Sequence, residues 1–219
     1  MSVSATGDPW AKAIAVAQCS RFGVGNARYR LGSKAGFVDT VGVPLYERRL
    51  LLQVGLFNEG LGRSEDNDLH ARLRRQGFKL YFFPELTSTY YSRATVSALI
   101  SQMFQNGWWI SATIRRQRRF PFGIRHLIPF VFYAYMILFA LMTLLRVPFA
   151  GFFFCIVGTL YVACSIGAAM GGDRAIRWWR TVFVFWCMHV CYAGGTAVGF
   201  LAPIARTATS QMTPGTRTR

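Results

Sequence analysis

The chain has 219 residues, a formal net charge of +16 at pH 7, 53% hydrophobic residues and 16% aromatic residues. A soluble domain with this much positive charge would be expected to bind nucleic acid. However, eight of the nine acidic residues lie at or before Glu85, and only Asp173 follows. After Glu85, long apolar runs alternate with arginines, as is typical of a membrane protein facing anionic lipid. We therefore expect a lipid bilayer, and no nucleic acid, as the partner.

The N-terminal segment is predicted to be helical and then basic. Residues 1–6 are polar and lack the charged start and apolar centre of a signal peptide. An Ala-rich helix is expected over residues 9–20, with Pro9 near its first turn. Residues 21–30 carry glycines and arginines but lack the third glycine of a dinucleotide fingerprint. Three arginines of this segment could contact phosphate or could lie in a solvated loop, and the solvated loop is the preferred interpretation. They are Arg21, Arg28 and Arg30.

Short strands and helices alternate over the next segment. Residues 37–45 are predicted to form a strand that ends at Pro44, and residues 46–54 a helix with Arg48 and Arg49 facing outward. Further strands are expected at 78–83 and 86–91. This alternation indicates an α/β fold. A sheet this small cannot bury a self-sufficient core, so the remainder is expected to come from elsewhere.

A helix rich in acidic residues is predicted between these strands. Ser64 is a suitable N-cap, Glu65, Asp66 and Asp68 fill the first turn, and Gly77 is a natural C-terminal stop. Acidic residues at this position offset the positive end of the helix macrodipole, and most such clusters have no further function. The helix N-terminus would keep Asp66 ionised, whereas burial beside Glu65 would raise its pKa and make it a better base. The sequence leaves both effects open.

The same helix has a predicted core face and a predicted surface. Leu69 and Leu73, four residues apart, should pack against a core. Asp68 and Arg72 have the spacing of a surface ion pair. His70 is interpreted as a surface histidine.

An amphipathic helix is predicted over residues 95–113. Leu99, Met103, Phe104, Trp108 and Trp109 lie on or near one side of it. A cluster of arginines follows at once: Arg115, Arg116, Arg118, Arg119 and Arg125. Tryptophans beside arginines predict a helix that lies in the lipid headgroup region.

Three membrane spans are predicted, over residues 127–145, 147–170 and 181–202. Each is close to the roughly 20 residues that a bilayer requires. The loop between the first two spans contains a single basic residue, Arg146. The segments at 115–125 and 173–180 each contain several basic residues. The positive-inside rule then predicts a cytoplasmic α/β part and an external C-terminus. Arginines in the tail, residues 203–219, weigh against that last placement.

Several motifs together resemble the second half of a family 2 glycosyltransferase domain. The family has a G-x-F-[DN]-E loop before an E-D-x-D-L-x-x-R-L helix, and the resemblance covers roughly residues 7–126, closest to the succinoglycan and exopolysaccharide type. The resemblance implies a partial GT-A (Rossmann-like) domain over residues 1–94, an interfacial segment over 95–126, membrane helices over 127–202 and a basic tail. The motifs that carry it are Asp39-Thr40, Arg48-Arg49, Gly55-Leu56-Phe57-Asn58-Glu59, Glu65-Asp66-Asn67-Asp68-Leu69 with Arg72-Leu73, and Tyr91-Ser92-Arg93.

The resemblance also implies roles for individual residues. Asp66 matches the general base of the family, and Glu65 would orient it or the acceptor. Substrate contacts are implied for Asp68, Arg93, Gln105, Trp108 and Trp109. The family's Q-x-x-R-W motif is matched only in part, because residues 105–109 are Q-N-G-W-W and lack the arginine. An acceptor contact and a simple interfacial anchor therefore both remain open for this segment.

No metal site is predicted in this chain. In the resembled family the nucleotide pocket and the metal-binding D-x-D belong to the first half of the domain, and this sequence begins after that point. Asp66-Asn67-Asp68 spells D-x-D but opens a helix. Mg²⁺ or Mn²⁺ is expected for the full domain, with ligands outside this chain. The isolated chain, whether truncated, one part of a split enzyme or a remnant, is expected not to bind a sugar nucleotide.

The implied activity is inverting sugar transfer from a nucleoside diphosphate to a hydroxyl of a glycan carried on polyprenyl diphosphate. The expected location is the bacterial inner membrane, with several spans and a cytoplasmic catalytic part. An alternative is a non-catalytic membrane subunit that scaffolds a polysaccharide assembly complex. A transporter is the weaker alternative, because the predicted spans carry almost no polar or charged residues.

Overall fold

A computed structural model describes residues 2–5, 7–32, 34–118, 120, 122–172 and 175–202. Most of these residues are helical. The predicted tail, together with Arg119, Asp173 and Arg174, lies outside the described residues. The helices are α1 (Pro9–Gln18), α2 (Arg21–Val24), α3 (Arg28–Leu31), α4 (Arg48–Val54), α5 (Glu65–Arg75), α6 (Val96–Gln117), α7 (Ile128–Leu144), α8 (Ala150–Met170) and α9 (Trp178–Leu201), with a 3₁₀ turn at Ile124–His126.

The strands are shorter than predicted and form two separate pairs among the described residues. They are β1 (Ser2–Ser4), β2 (Gly36–Val38), β3 (Leu80–Phe82) and β4 (Thr89–Tyr91). β2 pairs with β3 in antiparallel fashion, and β1 pairs with β4 in parallel. The predicted order of strands and helices is present, but no larger sheet joins the two pairs, so the α/β fold is seen only in part. β2 ends early because Thr40 turns its hydroxyl toward His70 and Gly42 and Pro44 follow.

The larger hydrophobic core joins the N-terminal helix to the apolar helices. Side chains of α1, α6 and α9 are buried together, with one residue of α8. Ile14, Leu99, Val184 and Phe185 are its most deeply buried large members. A smaller core lies under α5, where Leu69 and Leu73 pack with Val54 and Phe78 as the spacing predicted.

Helices α6 and α9 pack with their backbones in contact. A Cβ atom added at Gly107 would lie 2.0 Å from the Tyr192 carbonyl oxygen, and one at Gly195 would lie 2.0 Å from that of Phe104. Ser111 Oγ donates to the Thr196 carbonyl at 2.7 Å. Gly107 and Ser111 on α6 are four residues apart, and so are Gly195 and Gly199 on α9, which is the small-xxx-small pattern of closely packed membrane helices. Residue numbers rise together along the contact, so the two helices run parallel.

Two of the described helices, α8 and α9, are long and apolar enough to cross a membrane. The first predicted span corresponds to α7, which has 17 residues, and its crossing of the membrane stays a prediction. At 1.5 Å per residue it is about 26 Å long, against a hydrocarbon core of about 30 Å. The 3₁₀ turn at Ile124–His126 lies just before the predicted start of this span, and Pro148 follows soon after the helix ends.

Candidate functional site

The acidic helix α5 begins and ends where predicted, but its N-terminus is built differently. Ser64 has a positive φ of 64° and its side chain caps no backbone N–H. Its carbonyl instead accepts from the Asp68 N–H at 3.0 Å. At the other end, Phe78 N–H donates to Leu73 O and Gly77 N–H to Arg74 O, both at 3.1 Å. This is a Schellman motif with Gly77 in the left-handed region, as the sequence predicted.

Asp66 is half-buried on the first turn of α5. Its Oδ1 accepts hydrogen bonds from the backbone N–H of Asn67 at 2.7 Å and from the Asn67 amide at 3.1 Å. Burial raises the pKa of Asp66, and hydrogen bonds from backbone N–H groups oppose that rise. Burial therefore outweighs the helix terminus, while Glu65 beside it is exposed. The carboxylate is made more basic without losing an acceptor oxygen, which suits proton abstraction.

Asp68 is not part of a surface ion pair, because its side chain is buried. Its Oδ2 accepts from Arg72 Nε at 2.9 Å, and its Oδ1 accepts from Gln117 Nε2 at 2.7 Å. Arg72 also donates to the carbonyls of Val54 and Leu56, each at 2.5 Å. The pair thus fixes the loop after α4 and ties α5 to the end of α6.

His70 is fully buried, so its placement on the surface was wrong. Its Nδ1 lies 2.8 Å from Thr40 Oγ1 and its Nε2 lies 2.7 Å from Tyr46 OH. Burial and the nearby Arg74 lower the pKa of His70 to about 4, against a smaller opposing effect of Asp39. Tyr46 is also close to the catalytic candidate, since burial and then the Asp66 charge raise the pKa of its phenol. A neutral His70 therefore connects the end of β2 to the residues around Asp66.

One face of α6 contacts the loop that precedes α5. Asn106 Oδ1 accepts from Arg63 at 3.0 Å, and Arg116 donates to the Gly60 carbonyl at 2.6 Å. Trp109 packs against the backbone at Gly62, where an added Cβ atom would lie 2.6 Å from the ring. The Arg116 guanidinium lies 5.6 Å from the Trp109 ring centroid. Sequence reasoning found Trp109 but missed Asn106, Arg116 and Gln117, which share its face at helical spacing.

The other predicted substrate contacts occupy different positions. Trp108 stacks edge-on against Trp109, with ring centroids 5.0 Å apart. Gln105 is exposed and donates to Ser101 Oγ at 3.0 Å. Arg93 is exposed before α6 begins. Their roles toward substrate stay predictions.

The acidic residues of α5 do not form a metal site. Asp68 is occupied by Arg72 and Gln117, and Asp66 accepts from Asn67. Within the described ranges, no three His, Cys, Asp or Glu side chains converge. The donor set of this D-x-D therefore does not fit a divalent cation. The Mg²⁺ or Mn²⁺ expected for the full domain stays a prediction for ligands elsewhere.

Comparison with known proteins finds likeness to proteins of glycan biosynthesis. The chain is 28% identical over 118 residues to the succinoglycan biosynthesis protein ExoA of Rhizobium meliloti, covering 54% of this chain and 36% of that protein. It is also 28% identical over 109 residues to a Methanococcus voltae enzyme, covering 49% of this chain and 33% of the relative. That enzyme is named dolichyl N-acetyl-alpha-D-glucosaminyl phosphate 3-beta-D-2,3-diacetamido-2,3-dideoxy-beta-D-glucuronosyltransferase.

The chain spans about one third of the length of these relatives. No family model matches it. No solved structure matches it. One relative is named a glucuronosyltransferase and the other a succinoglycan biosynthesis protein. The two apolar helices of this chain support association with a membrane.

Proposed function

We propose that this chain forms the acceptor side of a membrane-bound, inverting glycosyltransferase of the family 2, GT-A type. The observation that carries the proposal is Asp66, a half-buried carboxylate with a raised pKa on the first turn of α5. The likeness to a glucuronosyltransferase and to a succinoglycan biosynthesis protein supports the reaction class.

In this mechanism Asp66 takes the proton of the acceptor hydroxyl. The hydroxyl oxygen forms a bond to the anomeric carbon as the bond from that carbon to the nucleoside diphosphate breaks, so the configuration is inverted. A hydroxyl is a poor nucleophile at neutral pH, and a base within hydrogen-bond reach is required. Glu65, exposed beside Asp66, would orient the acceptor. No residue of this chain is assigned to the sugar-nucleotide pocket.

The remaining residues position the base and the acceptor. Asp68 acts through Arg72 and Gln117 by holding the loop at 54–56 and the end of α6. Trp109 supports the loop at Gly62 and would offer an aromatic wall to a saccharide, with Trp108 beside it. Contacts of Gln105 and Arg93 to the acceptor are part of the same proposal.

The partners follow from this chemistry. The donor is a nucleoside diphosphate sugar, and the acceptor is a growing glycan on a polyprenyl diphosphate. The sugar-nucleotide half is supplied by another polypeptide or by other parts of a longer protein. Helices α8 and α9 would hold the site at the bacterial inner membrane, with the acidic helix on the cytoplasmic side.

Replacement of Asp66 by Asn tests the proposal. The variant keeps an oxygen for the Asn67 N–H but cannot accept the proton, so glycan formation should fall by about 10²- to 10⁴-fold. The measurement is polymer and lipid-linked glycan production in source cells that carry only the variant gene. Glu85→Gln, an exposed carboxylate after β3, is the matched control. Normal production by Asp66→Asn would favour the scaffold alternative.

A further inference from the structure

A cavity lies between the N-terminal helices, the middle of α6 and the apolar helices, and Asn67 of α5 reaches its wall. It has a volume of about 420 Å³, within the range of about 300–1,000 Å³ typical of ligand sites. It is lined by the segment from α1 to α3, by α6, by the start of α7 and by α8 and α9. The polar residue at its edge nearest the catalytic candidate is Asn67, which donates to Asp66.

The cavity wall is cationic. Arg21, Arg30 and Arg125 line it, and none of the residues that line it is an Asp or Glu. Arg125 is neutralised by Asp39, with Nη1 and Oδ2 2.5 Å apart. Arg30 instead lies over the Tyr90 ring, 4.9 Å from its centroid, and forms no ion pair within the described part of the chain. Arg21 is exposed and likewise has no carboxylate partner among those residues. The wall therefore carries uncompensated positive charge.

Buried polar atoms on the same wall have no partner among the described residues. They are Gln18 Oε1, Gln102 Oε1 and His126 Nε2. Gln18 is only 2% exposed. Its amide can turn either its oxygen or its NH₂ group toward the cavity. His126 Nδ1 lies 2.8 Å from Tyr192 OH, and if that hydroxyl donates, Nε2 carries the proton and faces a ligand. Buried groups of this kind normally have a partner.

The apolar helices contribute a largely hydrocarbon part of the wall. Phe132 of α7, Tyr161 of α8 and Met188 of α9 contribute to it. Cationic groups on one side and hydrocarbon on the other match an amphiphile with an anionic head. Arginine and N–H donors suit phosphate oxygens better than a single carboxylate.

We propose that this cavity binds the phosphate or diphosphate head of a lipid-linked acceptor, with Arg21, Arg30, Gln18 and His126 around the phosphate and the lipid chain along α7 and α8. The glycan on that head would then extend past Asn67 toward Asp66. This last part rests on the proposed function, whereas binding of the anionic lipid does not.

The test measures binding to the full chain in phosphatidylcholine nanodiscs. Polyprenyl phosphate, the matching polyprenol, inorganic phosphate and pyrophosphate are titrated without any sugar donor. Saturable binding of polyprenyl phosphate is expected, with at least about tenfold weaker binding by Arg21→Gln and by Arg30→Gln, because each loses a charge-assisted contact. Arg30→Lys should restore part of the affinity. Arg49→Gln, an exposed arginine of α4, is the matched control.

Each other outcome has a definite meaning. Equal binding of polyprenol and polyprenyl phosphate, or equal losses in Arg49→Gln, overturns the proposal. Pyrophosphate binding as tight as that of the lipid assigns the cavity to a free diphosphate and overturns the lipid part. Arg21 is exposed, so Arg21→Gln reports on binding even where Arg30→Gln fails to fold. Asp66→Asn should bind normally, so a failed catalytic proposal and a failed binding proposal give different results.

Discussion

At the scale of single residues, burial decides the chemistry of α5. Asp66 and His70 are one helical turn apart, and burial shifts both away from their charged forms. Tyr46 lies next to both, through a hydrogen bond to His70 and through the charge of Asp66. A basic carboxylate is thus held beside a neutral, hydrogen-bonded histidine.

Asp66→Asn is expected to be at least as stable as the wild type at neutral pH. A raised pKa means that the folded state binds more protons than the unfolded state, so stability falls as pH rises from 3.8 through the raised pKa. The amide removes this loss because it has no charge to bury. Thermal unfolding in detergent from pH 3 to 8 measures the difference. If the variant is less stable than the wild type at pH 7, burial of the ionised Asp66 carboxylate does not destabilise the folded state.

His70 should make the fold sensitive to acid. Its pKa is about 4 in the folded state against 6.5 when unfolded, so its contribution is complete above pH 6.5 and is lost as pH falls toward 4. The expected loss is about 3 kcal/mol, at about 1.4 kcal/mol per pH unit. His126, also at about 4, acts in the same window. His70→Gln should therefore reduce the pH dependence of the unfolding midpoint between pH 6.5 and 4, and an unchanged slope would contradict this origin.

The sequence was sufficient to place Asp66, Glu65, Leu69 and Leu73 on α5, because helical spacing and terminal residues are local. The sequence was insufficient to predict that His70 and Asp68 are buried. Their partners Thr40 and Gln117 are 30 and 49 positions away. Helical periodicity counts a histidine or an aspartate as polar, and only long-range packing shows that each is buried and satisfied.

At the scale of elements, α6 connects the acidic helix to the apolar helices. One face carries Asn106, Trp109 and Arg116 against the loop before α5. Another carries Gly107 and Ser111 against α9. The sequence predicted the helix and its tryptophans but assigned its apolar side to lipid. The tight contact with α9 depends on glycines that a hydrophobicity pattern treats as neutral.

Adjacent glycines of α9 offer a matched test of this contact. A Cβ atom at Gly195 would meet the Phe104 carbonyl, whereas one at Gly194 would meet nothing within 4 Å. Gly195→Ala should therefore cost about 1–3 kcal/mol of stability by forcing the backbones apart. Gly194→Ala should be neutral or gain up to about 1 kcal/mol from helix propensity. Unfolding midpoints of the two variants in one detergent measure this, and equal effects would contradict the close packing.

At the scale of the whole molecule, the N-terminal part and the apolar helices share one core. α1 packs against α6 and α9, and Arg180 lies over the rings of Trp10 and Trp179. Because α6 and α9 pack in parallel, the two helices have similar orientations relative to the bilayer. If α6 lies flat on the bilayer surface, α9 lies flat as well. If α9 spans the bilayer, α6 spans it too. The interfacial placement of α6 stays a prediction.

The arginine cluster was expected to face lipid, and several of its members instead bind the protein. Arg116 binds the Gly60 carbonyl, Arg125 binds Asp39, and Arg118 is exposed. Net charge and its position along the chain could be read from the sequence. The direction of each guanidinium could not be predicted from the sequence. Every residue has a backbone carbonyl, so composition does not indicate which carbonyls accept a hydrogen bond from an arginine.

Cysteine labelling tests whether α8 lies in the bilayer. Cys155 and Cys164 are exposed on α8, and Cys19 is exposed after α1. If α8 crosses the membrane, a membrane-impermeable maleimide added to inside-out vesicles should label a Cys19-only variant but leave Cys155-only and Cys164-only variants unlabelled until detergent is added. Mildly alkaline buffer is needed because partial loss of hydration at the sulfur raises the pKa of the Cys19 thiol. Labelling of the α8 cysteines in intact vesicles would place this helix outside the bilayer.

The parallel course of α6 and α9 brings two carboxyl termini to the same place. Aligned peptide dipoles leave about half a negative elementary charge at each such end, so the two ends repel one another. Arg115, in the last turn of α6, donates to the carbonyls of Gly199 and Ala202 at the end of α9. One internal guanidinium therefore offsets the combined dipole charge, so the pairing of these helix ends does not depend on a cation from solvent.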